Sequence, residues 1–123
     1  MRAVDKLVEK LRERATIKLT VEPEDIPIEG NACACGEPDC DDAHIKPIIE
    51  AVESGDPWAW CQVYVEAEYG GFKGGDSLGG CSYRDEKDFR APGGYFNDMV
   101  ENALEQLARE IESARIAIES LEG

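Results

Sequence analysis

Basic side chains are scarce in this sequence: 13 lysines and arginines stand against 27 aspartates and glutamates, a net charge of −14. A field of that sign repels phosphate backbones and anionic headgroups. It argues against direct nucleic-acid or membrane binding and favours a basic partner. No apolar run approaches the roughly 18 residues needed to span a bilayer. Charge interrupts the N-terminal stretch MRAVDKLVEKLRERAT every few residues, unlike a secretory segment, so an intracellular protein is expected. Histidine occurs once, at His44, so any serine or cysteine nucleophile has a single imidazole to call on. The five cysteines are an odd number, which suits reduced thiols or a metal site better than a disulfide framework.

The remaining composition fits one acidic α+β domain over residues 1–123. The chain is 42% hydrophobic, enough for a core without disulfides. Its charge is uneven, net +3 over residues 1–20 and net −17 over 21–123.

Val4, Leu7, Val8 and Leu11 recur at helical spacing and predict an amphipathic helix over 3–14. Ala15, Ile17, Leu19 and Val21 then alternate with polar residues, as in a half-buried strand limited by Pro23 and Pro27. Residues 22–43 are irregular, with three prolines, two glycines, three cysteines and eight acidic side chains. Ile45, Ile48, Ile49 and Val52 predict a second helix starting near His44, with Pro47 in its first turn, and ending near Gly55. PWAWCQVYVEAEY, residues 57–69, reads as a strand with Ala59, Cys61, Val63, Val65 and Ala67 on one face. Gly70-Gly71 predicts a hairpin turn into a glycine-rich strand that reaches about Tyr83. Gly79 and Gly80 leave room for a tryptophan to lie across the sheet. A helical turn at 85–89 precedes a long helix over 95–120. Its stripe Phe96, Val100, Ala103, Leu107, Ile111, Ala114, Ile118 and Leu121 is the strongest periodic signal in the chain. The expected fold is a three-stranded antiparallel sheet packed by this helix, in the order α-β-α-β-β-α, with Val100, Ala103, Leu107 and Ile111 buried. Ile118 and Leu121 lie beyond the reach of one small sheet, which predicts packing on the first helix or a homodimer.

Two motifs touch on chemistry. Gly75-Asp76-Ser77-Leu78-Gly79 matches G-x-S-x-G, and its GDSL string resembles the signature of the GDSL esterases. The only histidine lies upstream of Ser77, and the residues after the serine read as more strand, so neither a triad nor an elbow is expected. Cys33, Cys35, Cys40 and His44 fall within 12 residues and are the ligand types tetrahedral zinc prefers, so one zinc ion is the candidate cofactor. Asp39, Asp41 and Asp42 read as caps of the next helix, lacking the rest of an EF-hand loop.

The stretches VEPEDIPIEGNA (21–32), GDPWAWCQVYVEAEYGGFKG (55–74), LGGCSYRDEKDFR (78–90) and GGYFNDMVENAL (93–104) together resemble small acidic proteins encoded by tailed bacteriophages and prophages. The resemblance covers roughly residues 16–108. It implies a gene product acting in the bacterial cytoplasm during infection, with no catalytic residues to carry over. The cysteine cluster departs from that pattern, in which a cysteine-poor stretch comes after GNA. With the charge, the resemblance leads to a non-enzymatic protein that binds a basic host protein, as an anti-defence inhibitor presenting carboxylates in place of phosphates. The expected contact residues are Glu24, Asp25, Glu29, Asp39, Asp41 and Asp42 in the acidic loop, and Asp98, Glu101, Glu105 and Glu112 on the last helix. The alternative is a small zinc-stabilised structural or assembly module. Elemental analysis of protein purified without added metal should find about one zinc per chain. A full thiol titre in native, metal-free protein would count against the zinc site.

Overall fold

The computed structural model describes residues 2–28 and 38–122, and residues 38–44 as backbone alone. It shows the expected α+β fold, a three-stranded antiparallel sheet packed against a long C-terminal helix. The elements are α1 (Ala3–Arg14), β1 (Thr16–Pro23), α2 (Pro38–Glu53), β2 (Cys61–Tyr69), β3 (Phe72–Cys81), α3 (Glu86–Phe89) and α4 (Tyr95–Glu122). The sheet order is β1-β2-β3. The central strand buries Cys61, Val63, Val65 and Ala67 in alternation, as a strand with one face on a core must. The chain divides into two compact units.

The first unit comprises Met1–Leu19, Val65–Asp76 and Tyr95–Gly123. Its hairpin turns at Gly70 and Gly71, whose φ values of 61° and 86° suit a two-residue turn with both central residues left-handed. Helix α4 lies directly on Gly74 of β3. A Cβ built there would fall 2.3 Å from the Ala103 carbonyl oxygen and 2.4 Å from the Leu107 nitrogen, so only glycine fits. Two side-chain bonds hold the same contact. The Gly75 N–H donates to Gln106 at 2.7 Å, and Asn102 donates to Asp76 at 3.0 Å. Helix α1 also packs against α4, burying Val8 and Leu11.

The buried residues of α4 are Met99, Ala103, Leu104, Leu107 and Ala108. Ala103 and Leu107 were expected, but Val100 and Ile111 are only half-buried. At about 100° per residue both fall inside the arc that the buried residues span, so they share the inward face without being fully covered.

The second unit comprises Thr20–Tyr64 and Ser77–Gly94. Trp58, Tyr83 and Phe89 form an aromatic cluster, with the Phe89 centroid 5.5 Å from that of Trp58 and 5.0 Å from that of Tyr83. Trp60 lies against Gly80, and its indole N–H donates to the Ile26 carbonyl at 2.9 Å. Both tryptophans are core residues.

Two element boundaries differ from expectation. Helix α2 begins at Pro38, so Pro47 sits in its interior and not in its first turn. The proline ring keeps a helix-compatible φ. Its cost is the missing bond to the carbonyl of residue 43, and apolar packing at Ile45, Ile48 and Ile49 opposes that cost. Strand β2 starts at Cys61, not at residue 57. The Asp56 carboxylate accepts the Trp58 N–H at 3.0 Å and its carbonyl accepts the Ala59 N–H, which makes a turn where alternation suggested strand. Trp58, Ala59 and Trp60 are therefore buried consecutively.

Leu107 is fully buried, so Leu107→Ala should cost about 2–5 kcal/mol in chemical denaturation. A variant that unfolds like the parent would contradict this packing.

Candidate functional site

The proposed zinc ligands Cys33 and Cys35 lie outside the described residues. Cys40 and His44 belong to the α2 backbone, and their side chains lie outside the described residues too. Of the expected contact acids, Glu29 and the side chains of Asp39, Asp41 and Asp42 lie outside them as well. Among the described residues no group of three or more His, Cys, Asp or Glu side chains is arranged to hold a metal ion.

The described part of the acidic loop splits in two. Asp25 is exposed. Glu24 is half-buried: its backbone N–H donates to the Trp60 carbonyl at 3.3 Å, and its carboxylate lies against β3 at Gly79. One Glu24 oxygen is removed from water and has no hydrogen-bond partner among the described residues. Glu24 is thus turned partly into its own unit.

On α4, three of the four expected contact carboxylates already hold arginines. Glu101 takes a two-pronged bond from Arg12 at 2.8 and 2.6 Å, which holds its carboxyl below the ordinary glutamate value. Glu105 accepts from Arg109 at 2.7 Å. Glu112 pairs with Arg115, which also reaches Glu119, and this pairing lowers the Glu112 pKa. Asp98 is exposed. Three of these four carboxylates are therefore compensated by arginine, two from α4 itself and one from α1. Spacing in sequence could have shown the Glu105–Arg109 and Arg115–Glu119 pairs, which are four residues apart on one helix. No such signal existed for Arg12 and Glu101, which are 89 positions apart.

Among the described residues most ion pairs lie in the first unit. They also include Arg2–Asp5 and Lys73 with Glu66 and Glu68. By composition that unit has 13 acidic and nine basic side chains, net −4. The second unit has 14 acidic and four basic side chains, net −10. There Asp25, Glu50 and Glu53 are exposed, and Arg90 pairs with Glu86 at 3.1 Å. An open depression of about 710 Å³ surrounds α3, where Arg84, Lys87 and Arg90 alternate with Asp85, Glu86 and Asp88.

Ser77 lies within β3 itself, so the G-x-S-x-G match has no strand-to-helix elbow. Cys61 and Cys81 are buried free thiols. The Cys61 thiol donates to the Cys81 carbonyl at 3.5 Å, and burial pushes both thiols up to about 11. At neutral pH they are protonated and poor nucleophiles.

In comparisons with known proteins, no family model, curated sequence or solved structure matches this chain.

The raised thiol values predict a pH effect of definite sign. Between the unfolded value near 8.5 and the folded value of about 11, the folded chain keeps protons that the unfolded chain has lost. Stability is fully present below about pH 8.5 and falls as pH rises, by up to about 1.4 kcal/mol per pH unit for each thiol. Denaturation curves from about pH 7 to about pH 10.5 should show this decline, and a Cys61→Ala, Cys81→Ala variant should show less of it. Equal alkaline loss in parent and variant would contradict the assignment.

Proposed function

We propose that this chain is a non-enzymatic binding protein of a bacteriophage or mobile element, acting in the bacterial cytoplasm on a basic host protein. The action would be inhibitory, with carboxylates occupying positions that nucleic-acid phosphates take on the target. One observation carries the reading: by composition the second unit is net −10, while among the described residues most ion pairs that neutralise carboxylates lie in the first unit. Carboxylates already bonded to arginine must lose that partner before they serve another, at a cost that surface pairs keep to about 1 kcal/mol or less. The exposed acids Asp25, Glu50 and Glu53 have no such cost to meet, since no ion pair joins them among the described residues. They are the better contact candidates, ahead of Glu101, Glu105 and Glu112.

Capture from bacterial lysate tests the proposal. A basic, nucleic-acid-binding protein should be retained at about 0.1 M salt and released toward about 1 M, as the screening length falls from about 10 Å to about 3 Å. Added DNA should compete, and the chain alone should not bind DNA. A variant with Asp25→Asn, Glu50→Gln and Glu53→Gln should retain severalfold less partner. Equal retention by that variant and at high salt would mean that recognition is not electrostatic, and the mimicry reading would fall.

A further inference from the structure

We propose that the distal half of α4 is a docking site for a cationic amphipathic helix of a partner protein. This rests on the reading that the partner is basic, and it adds the partner's shape. The upstream part of the α4 stripe is used within the chain, with Ala103 and Leu107 seated on Gly74. One row further along the hairpin, Phe72 lines a groove of about 390 Å³ together with Ile111, Ala114 and Ile118. The hairpin turns back at Gly70 and Gly71, so the sheet offers no further row. Ile118 and Leu121 are 57% and 87% exposed. From Leu107 onward the stripe runs Leu107, Ile111, Ala114, Ile118 and Leu121, spaced 4-3-4-3. That is the 3.5-residue repeat of a helix-to-helix seam.

Charge decides between occupants. From Glu110 to Glu122 the helix carries Glu110, Glu112, Glu119 and Glu122 against Arg115 alone, net −3. Arg115 stands at the groove already bonded to Glu112 and Glu119. A second copy would bring the same stripe and the same net −3, between two chains of charge −14. A helix with an apolar stripe flanked by lysine or arginine meets apolar with apolar and positive with negative.

The test uses the full chain and a labelled peptide of about 20 residues, with leucine at the heptad seam and lysine elsewhere. Its controls are a scrambled peptide of the same composition and a leucine–glutamate counterpart. By fluorescence anisotropy near about 0.15 M salt, the patterned lysine peptide should bind at least about tenfold tighter than the scrambled one, and the glutamate peptide should not bind. Ile118→Ser with Leu121→Ser should weaken binding at least about tenfold without changing circular dichroism or the melting curve, because both residues are exposed. Glu119→Gln with Glu122→Gln should weaken it severalfold and flatten its salt dependence. Equal binding of the scrambled peptide, or unchanged binding by the serine variant, overturns the proposal. So does a parent dimer in sedimentation that the serine variant turns into a monomer, since a second copy would then cover the stripe. Failure of the patterned peptide beside a salt-sensitive lysate partner overturns this inference and leaves the functional one standing. A bound patterned peptide with no salt-sensitive lysate partner does the reverse.

Discussion

The seat of α4 on Gly74 fixes much of the first unit. The helix backbone comes so close to β3 that a single methyl group would collide with main-chain atoms on both sides of a helical turn. Such an approach leaves α4 no freedom to roll. It selects Ala103 and Leu107 as residues that face the sheet. It also brings Gln106 and Asn102, one turn apart on α4, over the outer edge of β3. An edge strand exposes unpaired backbone groups, and Gln106 satisfies one of them at Gly75. The same seat carries Ile118 and Leu121 past the hairpin turn, where the sheet has no residue left to meet them.

Electrostatics separates the two units more clearly than their folds do. In the first, arginines and a lysine are threaded among the carboxylates of α1, α4 and the hairpin. Each exposed pair stabilises little by itself. Their collective effect is to leave that unit weakly charged despite 13 acidic residues. The second unit has no comparable supply of cations, so its field reaches solvent.

Much of the fold was legible in sequence because it rests on periodicity. The 3–14 helix, the Gly70-Gly71 hairpin and the long last helix each announce themselves by spacing or turn chemistry. Spacing does not encode competition from local hydrogen bonds and from tertiary neighbours. Alternation through Trp58 and Trp60 looked like strand, yet the Asp56 carboxylate captured the backbone first. Pro47 looked like a helix start, yet the helix runs through it. The packing of α1 on α4 is likewise absent from the helix pattern alone. The candidate site was less legible still. A row of glutamates at helical spacing is the same string whether it faces solvent or arginine, and only the fold brings Arg12 to Glu101.

Substitution at Gly74 probes the central contact most directly. The structure predicts that Gly74→Ala destabilises the chain by about 3 kcal/mol, the upper end of overpacking costs, in chemical denaturation, because backbone atoms and not pliable side chains must move. A Gly74→Ala chain that unfolds within about 0.5 kcal/mol of the parent would contradict the seating of α4 on the sheet.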